Sequence, residues 1–336
     1  MIRSLIAHTA VLLGGGALAP GSGADTTGRN RNMAAKRIGI LCLGLLLAVP
    51  GWAQDVDTVL IVSIDALHPD ALSEKTAPTL HALMHPGHYT LAGRSVDPPK
   101  TLIAHTAMLT GLTPAASGKQ DNDWKPGEPR VAKPTLFDDA RRRGYRTAFY
   151  YSKPKLGYLA SEAVDETALA REDGIDRARA FFRHAGARFA VLHLSGLEFA
   201  GTESGWLSPE YLDELSYIDM ALAPLLADVA RRGRHLIVIT SDHAGHDRLH
   251  GTRHPDDYRL PLIITTDGPC DVALPSGAFH LTALRGLVQG LLPSAGPPAI
   301  QAAVSGEPHV KTTMPKPHMI LTEGRPRTNP GADRHD

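Results

Sequence analysis

Two apolar runs that stop on acids constrain this chain more than any other feature. Residues 57–64 read DTVLIVSI and end at Asp65; residues 235–240 read HLIVIT and end at Ser241-Asp242-His243. Short β-branched runs without polar alternation are buried on both faces, the pattern of parallel strands covered by helices. Between them helical and strand patterns alternate. Residues 77–84 read as a short helix, and 101–109 as a helix entered through Pro98-Pro99. Residues 135–143 are helical and stop at Gly144; 146–151 form a strand, 175–184 a helix and 189–194 a strand. A long helix is predicted from Ser208-Pro209 to Arg232, with Ser208 at the N-cap, Pro209 at the first helical position and Gly233 past the end. Residues 260–265 give a further strand.

This alternation predicts an α/β fold: a mainly parallel sheet with helices on both faces. Ligands in such folds gather beyond the carboxyl ends of the strands. Asp65, the 193–198 stretch and Asp242-His243 each close a strand, so three separated clusters are expected to meet at one edge.

The N-terminus reads as a processing segment. Lys36-Arg37, the apolar run 38–49 and small residues at Gly51 and Ala53 describe a secretory signal peptide over 33–53. The run is too short for a comfortable membrane span, so no stable span is expected after cleavage. Residues 1–32 are Gly/Ala-rich and unpatterned, and are expected to be an over-called extension ahead of a start at Met33. Residues 54–292 are then expected to form one α/β domain, and 293–336 a Pro-rich tail. Lys+Arg and Asp+Glu are both 35. Removing 1–53 takes five basic residues and one acidic residue, leaving a formal net charge of −4 that does not suit a nucleic-acid polymer as partner. Cys42 leaves with the leader and Cys270 stands alone, so no intramolecular disulfide is expected.

Asp65, Thr101, Asp242 and His243 form a chemically coherent set. Two carboxylates and an imidazole suit Zn²⁺, with Mn²⁺ and Mg²⁺ as alternatives. A threonine hydroxyl at a helix N-terminus beside such a cation can attack phosphorus. The helix amides there favour an anionic substrate.

These residues lie in four stretches: VLIVSIDAL at 59–67, PPKTLIAHTAMLTGL at 98–112, GTESGWLSPEY at 201–211 and TSDHAGHDRLHGT at 240–252. Their order and spacing resemble the alkaline phosphatase superfamily, in its type I phosphodiesterase/nucleotide pyrophosphatase branch, across roughly 57–270. The resemblance implies an alkaline-phosphatase-like core and two metal ions clamping a phosphate. By position it implies Asp65, Thr101, Asp242 and His243 at one metal, Thr101 as nucleophile, and His250 at the other metal.

Two departures stand out. The resemblance implies an Asp, a Gly and a His over 198–202, where this chain has Glu198-Phe-Ala-Gly-Thr202. Glu198 still ligates; Thr202 replaces an imidazole poorly. At Ala104 many members carry an Asn that binds the transferred phosphoryl group, and losing such a donor costs roughly 3 kcal/mol. The second metal site therefore reads as weakened. It is rescued by Glu198, His250 and a neighbour such as His246 or Glu203, or the enzyme works with one metal, or the protein is a catalytically impaired anion binder. Lys100 is expected either to support the phosphate or to be solvated, and Asn122 and Trp124 to line a leaving-group pocket. His193 reads as a satisfied core histidine. The expected function is a secreted, periplasmic, metal-dependent hydrolase of small phosphate mono- or diesters, with a single-metal phosphotransferase or a retired phosphate binder as alternatives.

Overall fold

The computed structural model describes residues 56–85, 87–267 and 278–293. The expected extension, leader, Cys270 and the tail beyond 293 lie outside the described residues. Among these residues eight strands form one sheet: β1 (Thr58–Ile64), β2 (His88–Arg94), β3 (Arg146–Tyr151), β4 (Glu166–Leu169), β5 (Arg188–Leu194), β6 (His235–Thr240), β7 (Arg259–Thr266) and β8 (Phe279–His280). Their order is β4-β3-β5-β1-β6-β7-β2-β8. The five strands from β4 to β6 run parallel, β7 pairs antiparallel with both β6 and β2, and β8 is parallel to β2. The expected α/β fold is therefore observed, with one reversed strand near an edge.

Among the described residues eight helices accompany it: α1 (Pro78–Met84), α2 (Thr101–Thr110), α3 (Pro114–Ser117), α4 (Leu136–Arg142), α5 (Gly174–Phe182), α6 (Gly196–Ser204), α7 (Pro209–Arg231) and α8 (Leu284–Leu291). Strand geometry sends successive side chains to opposite faces. Val59 and Ile61 of β1, with Leu236 and Val238 of β6, join the core under α2, α4 and α8. Leu60, Val62 and Ile64, with Ile237 and Ile239, join the core under α1, α5 and α7. Both faces are covered, which is why these strands show no polar alternation.

Helix α2 is buried at all ten positions. Its two mid-helix threonines satisfy their hydroxyls by donating to backbone carbonyls one turn back, Thr106 to Leu102 at 2.7 Å and Thr110 to Thr106 at 2.6 Å. Gly111, at φ 71°, closes the helix in the left-handed conformation that glycine adopts without strain. Ser208 accepts from the Tyr211 amide at 3.2 Å and starts α7 as its sequence predicts.

The elements that sequence patterning passes over are edge strands and a helix of poor propensity. β2 and β4 are mostly exposed or half-buried, and β8 has two residues. The 196–204 segment, read above only as a strand end followed by a motif, is helix α6, although it opens on Gly196 and carries Gly201.

A buried carboxylate ties two helices together. Asp219 of α7 accepts from the amides of Thr79 (2.9 Å) and Leu80 (2.8 Å) at the start of α1, which no local side chain caps. Asp219→Ala leaves two orphaned amides and is expected to lower the unfolding free energy by about 2–4 kcal/mol. Equilibrium urea unfolding measures this, and an unchanged midpoint would contradict it.

Candidate active site

The parallel strands deliver their ends to one edge. Asp65 follows β1, Asp242 and His243 follow β6, Glu198 stands on α6 beyond β5, and Lys153 follows β3. Thr101 opens α2. Asp65, Thr101, Asp242 and His243 are all essentially inaccessible to solvent.

Each ligand candidate is fixed by one atom and leaves another unpaired. His193 Nδ1 accepts from the Ser152 amide, so its Nε2–H donates to Asp65 Oδ2 at 3.0 Å. Asp242 Oδ1 accepts from the Ala66 amide at 3.3 Å. His243 Nδ1–H donates to the Ala244 carbonyl at 2.8 Å, which leaves the Nε2 lone pair free. Asp65 Oδ1, Asp242 Oδ2 and His243 Nε2 are buried without a hydrogen-bond partner. His243 Nε2 lies 3.5 Å from each of those two oxygens. Three convergent, desolvated, unpaired donors fit a divalent cation, and unpaired atoms of this kind are otherwise costly. The outer hydrogen bonds that fix the tautomer and carboxylate orientation are those a metal site requires.

Beside this triad, Glu198 Oε1 lies 3.2 Å from His250 Nε2, and the His250 ring stacks on His243 with centroids 4.8 Å apart. Glu198, His243 and His250 form a second group of ligand type. Burial, with His243 adding to it, pushes His250 down to about 4, so its imidazole is neutral near neutral pH. Thr202 stands outside this group: its exposed hydroxyl donates to the Glu198 and Phe199 carbonyls. Neither suggested neighbour joins either. His246 pairs with Asp257 at 2.7 Å and stacks on His254, and Glu203 is exposed on α6.

Lys153 is the residue that sequence reading missed. Its Nζ lies 2.5 Å from Asp65 Oδ2, pairs with Glu198 Oε2, and donates to Thr101 Oγ1 at 3.1 Å. Burial alone would lower its pKa, but Asp65, Glu198 and Asp242 together raise it, so the group carries a full charge. In return, Asp65, which burial alone would raise, is held well below the usual carboxylate range by Lys153 and His193. The available signal was position: Lys153 sits two residues past a correctly read parallel strand.

His105 anchors the start of α2. Its Nδ1–H donates to the Thr101 carbonyl at 2.8 Å and its Nε2 accepts from Ser63 Oγ of β1 at 2.9 Å. Burial lowers it to about 4. His193 has both nitrogens bonded, as expected of a core histidine, but one partner is Asp65 itself. Asn122 Oδ1 accepts from the Leu102 amide at 2.8 Å, in the first turn of α2. Lys100 occupies the N-cap of α2, with its stem over Gly251. Trp124 is buried, its indole N–H donating to the Pro129 carbonyl at 3.1 Å. Ala104 is packed in the apolar core under α2, so the residue there serves packing.

The turn after Asp65 is strained. Ala66 has φ 66°, a conformation costing a non-glycine residue about 1–2 kcal/mol. Tyr211 Oη and Trp206 Nε1 hold its carbonyl at 2.7 and 3.2 Å. Any Cβ at Gly201 or Gly245 would approach the Trp206 ring within 2.9 or 2.5 Å, so both glycines make room for the indole that braces Asp65.

Residues 59–260, more than half of the chain, match the family described as type I phosphodiesterase/nucleotide pyrophosphatase. The chain belongs to that family. A segment of 81 residues is 40% identical to GPI ethanolamine phosphate transferase 1 of Neurospora crassa, covering 23% of this chain and 8% of that relative. The chain thus spans a small part of the curated relatives it matches. Among solved structures, the C-terminal periplasmic domain of EptC from Escherichia coli in complex with Zn aligns with TM-score 0.55 at 16% identity, over 71% of this chain and 82% of that one. Murine ectonucleotide pyrophosphatase/phosphodiesterase 5 aligns with TM-score 0.54 at 16% identity, over 71% and 96%. The alkaline-phosphatase-like fold of the family is thereby shared.

A divalent cation held by the triad would add to stability, because it binds the folded state alone. Zn²⁺ at a hundred times its dissociation constant is expected to stabilise the fold by about 2.7 kcal/mol, with a matching rise in thermal midpoint. His243→Ala is expected to abolish that rise. A midpoint indifferent to both zinc and chelator would contradict the assignment.

Proposed function

We propose that the protein is a metal-dependent phosphoryl-transfer enzyme acting on small phosphate esters, with Thr101 as nucleophile. The carrying observation is the trio of unpaired buried atoms on Asp65, Asp242 and His243 beside a hydroxyl that Lys153 links to Asp65. A divalent cation, Zn²⁺ by ligand type, would supply Lewis acidity there, lowering the pKa of an adjacent hydroxyl and neutralising phosphoryl charge.

The chain's own groups account for the rest. Thr101 Oγ loses its proton to solvent and forms a bond to phosphorus, while the bond to the leaving oxygen breaks with its electron pair and that oxygen takes up a proton. In the second step an acceptor O–H attacks phosphorus, its proton leaves to solvent, and Thr101 Oγ departs and is reprotonated. Lys153 stabilises negative charge on Oγ in both steps, and in this reading the Asn122 amide, whose Oδ1 is held by the Leu102 N–H, turns its nitrogen to a phosphoryl oxygen. The α2 N-terminus adds a favourable dipole for the anion. An opening of about 820 Å³ beside Lys153, lined by Leu194, Phe199, Tyr217, Ile218 and Arg171, accommodates the organic part of the ester.

With water as acceptor the enzyme is a hydrolase, of phosphodiesterase or phosphatase type. Transfer to an alcohol is the second reading, favoured by the segment shared with a phosphoethanolamine-type transferase. The basic-apolar-small pattern of 33–53 supports a secreted, periplasmic setting. Among the described residues no helix is long and apolar enough to cross a membrane.

Thr101→Ala is expected to lower kcat/KM on aryl phosphodiesters by about 10³-fold or more, with Thr101→Ser retaining part of the rate. Acid quenching during turnover is expected to trap phosphothreonine at Thr101. Undiminished turnover in Thr101→Ala would overturn the assignment, and product partition in the presence of an added alcohol separates hydrolysis from transfer.

A further inference from the structure

Lys153 reaches three oxygens from one buried ammonium: Asp65 Oδ2 at 2.5 Å, Glu198 Oε2 in direct ion-pair contact, and Thr101 Oγ1 at 3.1 Å. An ammonium has three N–H donors, and each has an acceptor here. Only 11% of the side chain is exposed. The group therefore sits between the triad and the Glu198–His250 pair, against the reacting hydroxyl.

We infer that this is a one-metal centre in which the Lys153 ammonium is a catalytic residue that takes the place of a second cation. The inference rests on the reading of Thr101 as nucleophile beside a divalent ion at Asp65, Asp242 and His243. Two independent features carry it further. The first is charge. Asp65, Asp242 and Glu198 contribute three negative charges and Lys153 one positive charge, and one dication neutralises the remainder. A second dication would leave a buried excess of two positive charges beside an ammonium. The second is ligand supply. Glu198 and His250 offer one free atom each, His243 Nε2 is already aimed at the carboxylates of the first site, and the Thr202 hydroxyl is tied to the α6 backbone. A dication there would also face Lys153 across the same Glu198 carboxylate.

An ammonium differs from a metal in what it can do. It donates hydrogen bonds and fixes charge on Thr101 Oγ, but it offers no open coordination position for an incoming hydroxyl. The acceptor in the second step is then activated by side chains alone, on the side where Glu198 Oε1 and the partly exposed His250 face each other.

The test is a metal count on the full, tag-free chain. Protein stripped with chelator is titrated with Zn²⁺ by calorimetry, and the bound metal is counted by mass spectrometry after desalting. One equivalent per chain is expected. Two equivalents overturn the inference while leaving the proposed function intact; none overturns the metal reading beneath both. Lys153→Met supplies a second readout. Removing a cation that competes for Asp65 is expected to tighten Zn²⁺ binding while lowering kcat by about 10²-fold, as for the loss of one transition-state donor. Unchanged turnover, or zinc binding that weakens in step with activity, would show a merely structural lysine and overturn the assignment.

Discussion

Three unpaired atoms set the terms for the rest of this molecule. Asp65 Oδ1, Asp242 Oδ2 and His243 Nε2 are withdrawn from water and given no protein partner. Each unsatisfied buried polar group costs on the order of 1–3 kcal/mol, and more when it is charged. The fold accepts that cost at the meeting point of β1 and β6, the two adjacent central strands, and surrounds it with compensations. His193, Ala66 and Ala244 satisfy the outward-facing atoms, so only the inward-facing ones remain open. A centre built this way is preorganised for a cation.

The support extends well beyond the ligands. The strained Ala66 turn aims Asp65, and Trp206 and Tyr211 hold that turn from α6–α7. Gly201 and Gly245 exist in contact with the same indole. On the other side, His105 joins the start of α2 to β1 through Ser63, and Ser152 fixes the ring of His193. Thr101 and the Asp65–Asp242–His243 triad are thus positioned by a common framework of buried polar contacts.

Much of this could be read from residues alone, for identifiable reasons. β1, β3 and β6 were legible because burial on both faces leaves uninterrupted apolar runs, and α7 because Ser208-Pro209 and Gly233 mark its ends. The convergence of Asp65 with Asp242-His243 followed from parallel topology. Lys153 was not legible, because a lysine past a strand ordinarily reads as solvated and only the sheet order puts β3 next to β5 and close to β1. Helix α6 was hidden by its glycines, one of which is required by Trp206. Ala104 reads in sequence as a missing phosphoryl donor, whereas its methyl is packed in the core under α2.

The proposed phosphoryl-transfer chemistry requires the triad to hold a divalent ion. Crystals soaked in Zn²⁺ and recorded on both sides of the zinc absorption edge test that directly. The account predicts an anomalous peak among Asp65 Oδ1, Asp242 Oδ2 and His243 Nε2, within coordination distance of all three. A map with no peak there, or with the ion bound only between Glu198 and His250, would contradict it.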